Sequence, residues 1–416
     1  MKTRITFTCL LVCAAMAAVA QIYTGPIPKP TSGYGAEGSN TVAVQSFPNP
    51  NYPTEDIRIY YPAGAASRVP TIFYAHGFGG YQPANVNGLL QFVAKKGYAI
   101  VFVPYQTSGV TSAQRYTNLL SGFIKAARDY PGIIDTTRVG FMGHSFGGGS
   151  VFANSRHCFN QLNWGTNGRF LLASAQWYSL NISQLQLLTF PSDVKLLTLV
   201  YEDDSTNDHR MANDIFNTIN IPASEKDYLR VQSATIGTYA YQAIHGLPNT
   251  ASDYNALDFY AIYRHLDALC DYTWNGSLAG KDVALGNGST NQVSMPGGLP
   301  SLVHSDAPSF AKAASAYVYP CDAFNNPRRN YCGTVVAKTA DAISPRTALH
   351  PNPARTAVHV DAADAVAEVM VLDMRGQLVR SSPTKEVAIA DLPQGLYLVK
   401  VVMADGQWEL HKMIKE

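Results

Sequence analysis

Ser145 stands between two glycines in Gly143-His144-Ser145-Phe146-Gly147. A mostly apolar run, Val139-Gly140-Phe141-Met142, precedes this stretch, and Ser150-Val151-Phe152-Ala153 follows it as a helix start. The pattern predicts strand, sharp turn and helix, with the serine at the apex. Such a turn leaves no room for side chains at its flanks, which accounts for both glycines. The apex would lift the hydroxyl clear of the sheet edge. It would also aim the Phe146 N–H, at a helix N-terminus, toward a developing oxyanion.

A serine hydroxyl attacks only when a base takes its proton, and the base is usually a histidine oriented by a carboxylate. On a sheet of this kind the order along the chain is serine, acid, histidine. The acid is expected after the apolar run Leu196 to Val200, in Tyr201-Glu202-Asp203-Asp204-Ser205. Asp204 is placed where a loop can turn a carboxylate inward, ahead of Asp203 and then Asp208; the alternative is a solvated acidic loop or the N-terminal charge of a helix. His245, in Ala243-Ile244-His245-Gly246-Leu247, lies 41 residues beyond Asp204, room for a helix and a strand. His265 reads as an ordinary helix residue, and His304 is a more distant alternative base.

A second oxyanion donor should come from the loop after Thr71 to Ala75, where His76-Gly77-Phe78 offers the Phe78 N–H; His76 itself reads as a brace for that loop. Trp177 is either core or, if exposed, a flat apolar wall that would bind substrate opposite Phe78. The chain has no phosphate-binding Gly-Lys-Ser/Thr loop, no dinucleotide loop and no His-Glu-x-x-His. The chemistry outlined needs no cofactor and no metal.

These residues need a scaffold. Val42 to Val44 and Ile57 to Tyr60 read as antiparallel strands. Thr71 to Ala75, Ala99 to Val103, Val139 to Met142, Leu171 to Ala175, Leu196 to Val200 and Tyr228 to Val231 read as buried strands. Helical spacing separates them, as in Val86 to Lys96 and in Tyr116, Leu120, Phe123 and Ala127. The alternation predicts an α/β architecture, a mostly parallel sheet with helices on both faces. A last helix is expected over Asp253 to Leu269, burying Phe259, Ile262, Leu266 and Leu269. Residues 335–348 read as a linker. Residues 349–416 carry short strands and turn signals, which predicts a small all-β sandwich.

With 15% charged residues, 11% aromatics and a net charge of +1, the composition suits a large core and offers no basic excess for nucleic acid. Residues 1–20 read as a signal peptide: Lys2 and Arg4, an apolar stretch, then Ala18-Val19-Ala20. The first domain is then 21–334. No later apolar run is long enough to span a bilayer, so an exported protein is expected, and a monomer. Cys158, Cys270, Cys321 and Cys332 remain after the signal, an even count that suggests two disulfides. Cys321–Cys332 is the favoured pair, closing a short loop, which leaves Cys158–Cys270.

Residues 40–270 resemble the α/β-hydrolase superfamily, and within it the dienelactone-hydrolase and lipase-like group that includes cutinases and polyester hydrolases. The likeness rests on Ala75-His76-Gly77-Phe78-Gly79, Gly143-His144-Ser145-Phe146-Gly147, Trp177, Glu202-Asp203-Asp204-Ser205 and His245. It implies the α/β-hydrolase fold and a serine carboxylic-ester hydrolase working through a Ser-His-Asp triad and an acyl-enzyme on an ester substrate. By the same likeness Asp204 is the acid, Trp177 an aromatic clamp and Phe78 the aromatic oxyanion residue. A peptidase or amide hydrolase on the same scaffold, and a non-catalytic surface binding protein, are the alternatives. Residues 349–416 resemble the C-terminal sorting domain of the Bacteroidetes type IX secretion system. Pro351-Asn352-Pro353, Val371 to Gly376 and Asp391 to Tyr397 carry that likeness. It implies an export signal, often cleaved, that engages the secretion machinery and delivers the protein to the surface or medium of a Gram-negative cell. A carbohydrate-binding module is the alternative there, with only Tyr397 and Trp408 as exposed-aromatic candidates.

Overall fold

In a computed structural model, the apolar runs after residue 40 assemble into a nine-stranded sheet. The structure describes residues 22–248, 253–332, 347–373, 377–404 and 408–416. The proposed signal segment and nearly all of the linker lie outside the described residues. The strands are β1 (Val42–Pro48), β2 (Asp56–Pro62), β3 (Val69–Ala75), β4 (Ala99–Phe102), β5 (Ile134–His144), β6 (Arg169–Ser174), β7 (Lys195–Tyr201), β8 (Lys226–Val231) and β9 (Val303–His304). Their spatial order is β9-β8-β7-β6-β5-β3-β4-β2-β1. The six from β8 to β4 are parallel, and β9, β2 and β1 add antiparallel edges.

Strands buried on both faces need cover on both, which explains their unbroken apolar character. Because successive side chains point to opposite faces, neighbours in β3 and β5 enter different cores. Phe73 and Phe141 pack with Phe123 of α2 (Ser112–Asp129) and Phe159 of α3 (Phe146–Gln161). Tyr74, Phe102 and Leu172 face the other way. They share a core with Leu89, Leu90 and Val93 of α1 (Asn87–Lys95) and Leu266 and Leu269 of α4 (Arg264–Asn275). α2 starts at a capping box, the Thr111 hydroxyl accepting from Gln114 N while the Gln114 side chain accepts from Thr111 N.

This arrangement corrects one cysteine pairing. Cys321 and Cys332 form a disulfide, whereas Cys158 and Cys270 are free and buried. Cys158 sits on α3 and Cys270 on α4, so the sheet stands between them. Even parity in the sequence could not register that. The expected helix over Asp253 to Leu269 is also revised: Asp253–Tyr254 is a short strand, Asp258–Tyr263 is π-helical, and α4 runs on to Asn275. Gly276, at φ +73°, ends α4, and further helices follow at Leu278–Ala284 and Thr290–Val293.

The chain divides into two compact units; the nine-stranded sheet belongs to the first, and the chain's final strands, with the short stretches 182–190 and 217–220, make the second. The second unit has β10 (Thr347–His350), β11 (Ala357–Ala362) and β14 (Glu386–Ala388) in one sheet. Its other sheet holds β12 (Val366–Leu372), β13 (Leu378–Ser382), β15 (Gly395–Met403) and β16 (Trp408–Lys415). Val358, Val369, Val387, Val399 and Met413 form the core between them.

In the first unit, β4 lies on one side of β3 and β5 on the other. The connections leaving β3 and β5 diverge there, which opens a crevice beyond their C-terminal ends.

Candidate active site

β5 ends at His144, and Ser145 turns the chain into α3 with φ +54° and ψ −120°. A positive φ is rare for a residue with a side chain and costs about 1–3 kcal/mol, so neighbours must hold it. Ser145 N donates to Ser174 O at 2.9 Å, and Ser145 O accepts from Trp177 N at 2.8 Å and Gly149 N at 3.1 Å. The flanking glycines are required by contact. A Cβ on Gly147 would strike the Ala75 carbonyl, and one on Gly143 would strike the Gly147 backbone.

β7 delivers Asp204 one turn after its end, with Asp204 N donating to Tyr201 O at 3.1 Å. The carboxylate is buried. Its Oδ1 accepts from Thr206 N at 2.7 Å and Asn207 N at 3.1 Å, and its Oδ2 faces His245 Nδ1 at 2.8 Å. His245 Nε2 lies 2.8 Å from Ser145 Oγ. A carboxylate only accepts, so Nδ1 carries the proton and Nε2 is left to accept from the serine hydroxyl. Burial pushes the Asp204 carboxyl upward, but the hydrogen bonds from His245 and the two backbone N–H groups outweigh it and hold the carboxyl below its ordinary value. The loops carrying Asp204 and His245 are also tied by backbone, Asp203 N donating to Ala243 O at 2.9 Å.

The other sequence candidates are occupied elsewhere. The Asp203 side chain is 53% exposed and faces Lys312. Asp208 is buried, accepting from Arg210 and from Cys321 N. His265 donates to Gln292 O from within α4, and His304 pairs with Asp227 on β8. His76 accepts from Tyr105 N at 3.3 Å and donates to Gly77 O at 2.7 Å while stacking on Tyr105. Burial lowers its pKa to about 4, so it braces the loop as a neutral ring.

Phe146 is the first residue of α3, where helical N–H groups have no intrahelical acceptor. Among the described residues neither Phe146 N nor Phe78 N donates to the protein. The rings of Phe78 and Phe146 are 6.2 Å apart, and Trp177 stacks on Phe146 at 5.1 Å. Trp177 is half-buried, neither core nor free. With Phe78, Arg115, Ser145, Phe146 and Tyr319 it lines a cavity of about 240 Å³.

Three contributors had escaped the sequence reading. Asn207 Nδ2 donates to Ala175 O at 2.8 Å and lies 3.4 Å from Ser145 Oγ. His144 Nε2 donates to the His245 carbonyl at 2.7 Å. Tyr319 arrives from a segment beyond β9 that returns to the site: Val318 N and Tyr319 N donate to Ser205 O and Thr206 O, at 3.0 and 2.8 Å, and Asp208 N donates to Tyr319 O. The Tyr319 ring meets Trp177 edge-on at 5.9 Å. Asn207 was open to notice as a polar neighbour of Asp204; Tyr319 carries no local signal.

Residues 348–416 match the secretion system C-terminal sorting domain. No curated protein matches the chain. The sorting domain directs export through type IX secretion, to the cell surface or the medium, and implies contact with the secretion machinery. No helix among the described residues is long and apolar enough to cross a membrane.

Proposed function

We propose that the protein is an exported serine hydrolase of carboxylic esters, built on the α/β-hydrolase fold over residues 21–334. One observation carries the reading: both nitrogens of His245 are engaged at 2.8 Å, Nδ1 by Asp204 and Nε2 by Ser145. A buried carboxylate held ionised beside an imidazole, itself beside a hydroxyl on a strained turn, is a proton relay aimed at a nucleophile.

Ser145 Oγ attacks the ester carbonyl as His245 Nε2 takes its proton. The Asp204 carboxylate stabilises the imidazolium so formed. The carbonyl oxygen, now negative, accepts from Phe146 N and Phe78 N, donors typically worth about 3 kcal/mol each in the transition state. Collapse expels the alcohol, which leaves with the proton from Nε2. Water then repeats the sequence on the acyl-enzyme and releases the acid. The half-buried face of Trp177 and the ring of Phe78 give the acyl group apolar walls.

Ser145→Ala is expected to abolish hydrolysis of short p-nitrophenyl esters, and unchanged turnover would overturn the assignment. Labelling of Ser145 by a fluorophosphonate separates an enzyme from a binding protein, and matched ester and amide substrates separate an esterase from a peptidase.

A further inference from the structure

Arg115 is the only charged side chain lining the cavity beside Ser145 among the described residues. It is 8% exposed. Its guanidinium donates to neutral acceptors: Nε to Gln106 O and Nη2 to Thr107 O, both at 2.7 Å, and Nη1 to Ser112 Oγ at 3.4 Å. Phe78 lies under it, with Cζ 5.2 Å from the ring centroid. Among the described residues no carboxylate is within ion-pair distance, although buried cations are ordinarily paired. Of the five N–H donors of a guanidinium, two are left over.

We propose that Arg115 selects esters that carry a negative charge, and that half-esters of dicarboxylic acids are the substrate class. This deepens the ester-hydrolase reading and rests on it. The rings of Phe78, Trp177 and Tyr319 flank the carbon chain, Ser145 meets the ester end, and the free carboxylate at the other end supplies the missing counter-charge to Arg115. A planar carboxylate suits the guanidinium fork. Ser145 and the cation then read opposite ends of one molecule. The net reaction is half-ester plus water to diacid plus alcohol.

The test uses the full chain and methyl half-esters of diacids from succinate to suberate. Each is compared with the uncharged methyl ester in which an amide replaces the free carboxylate. Wild-type protein should favour the anionic member of at least one pair by about tenfold or more in kcat/KM, less so at high salt. Arg115→Gln should bring that ratio to near one, and Arg115→Lys, which keeps the charge but not the fork, should restore part of it. A wild-type ratio of one overturns the proposal. So does an Arg115→Gln variant that, still folded by its melting curve, loses both members equally, because Arg115 would then only brace residues 106–107. Calorimetric binding of free adipate separates the two readings. Binding to wild type but not to Arg115→Gln, in a protein that cleaves no ester, sinks the hydrolase and keeps the anion site; cleavage of neutral esters with no adipate binding does the reverse.

Discussion

His144 Nε2 donates to the backbone carbonyl of His245 at 2.7 Å, so the residue before Ser145 holds the main chain of His245. Burial and the neighbouring His245 lower the His144 pKa to about 3, which keeps its ring neutral at any working pH. It cannot compete for the serine proton, and its donor is always present. His144→Phe removes that donor from a ring-sized site. The expected result is a fall in kcat of about ten- to a hundredfold, the range a small misplacement of a reacting group produces, with KM little changed. Stopped-time assays on a short ester check it, and His144→Gln, which can still donate, should lose less.

Asp204→Asn replaces an acceptor-only group with an amide that can present a donor to Nδ1 and so favour the wrong imidazole tautomer. The kcat should fall by roughly 10³–10⁴ while the fold survives. The substitution has a stability signature too. A carboxyl held below its ordinary value stabilises the fold when the pH is above that ordinary value, and this contribution drains as the pH drops through the folded pKa. The stability advantage of wild type over Asp204→Asn should therefore be present at neutral pH and shrink below about pH 4 in thermal melts.

The Cys321–Cys332 disulfide closes a loop of sequence separation 11 within the segment that presents Tyr319. In the chain-entropy model such a bridge contributes roughly 3 kcal/mol. A Cys321→Ser/Cys332→Ser double variant should melt lower, and Tyr319 should sit less firmly against Trp177. The kinetic consequence is a higher KM for bulky esters with a smaller change for acetate esters, read from a substrate panel with and without the bridge.

What the sequence disclosed and what it hid follow from the range of the interactions. The sharp turn at Ser145 was legible because steric exclusion at Gly143 and Gly147 is local and tolerates no other residue. The meeting of Asp204 and His245 beside Ser145 was legible because loops leaving a parallel sheet reach one edge in chain order. Tyr319 was not, because its place depends on an antiparallel β9 and a return path that no periodicity encodes. The Cys158–Cys270 pairing failed for a related reason: parity counts cysteines but cannot tell which face of a sheet each helix covers. The π-helical stretch was hidden as well, since one apolar stripe through Phe259, Ile262 and Leu266 serves either helix type over so short a run.

Asp258 opens that π-helical stretch and is buried, with Oδ2 accepting from Asn255 N at 2.8 Å and Oδ1 without a hydrogen-bond partner. Burial raises its pKa to about 7, so the folded protein holds a proton there that the unfolded chain releases near pH 4. A folded pKa above the unfolded one means stability is full below about pH 4 and declines as the pH rises toward 7, beyond which the loss is complete. The loss is on the order of 4 kcal/mol for a shift of this size. Asp258→Asn keeps an acceptor for Asn255 N and removes the titration. Relative to wild type it should be nearly neutral at pH 4 and stabilising at pH 8. Urea melts across that range check it, and a wild-type stability difference from Asp258→Asn that stays flat with pH would show that the carboxyl ionises freely in the fold.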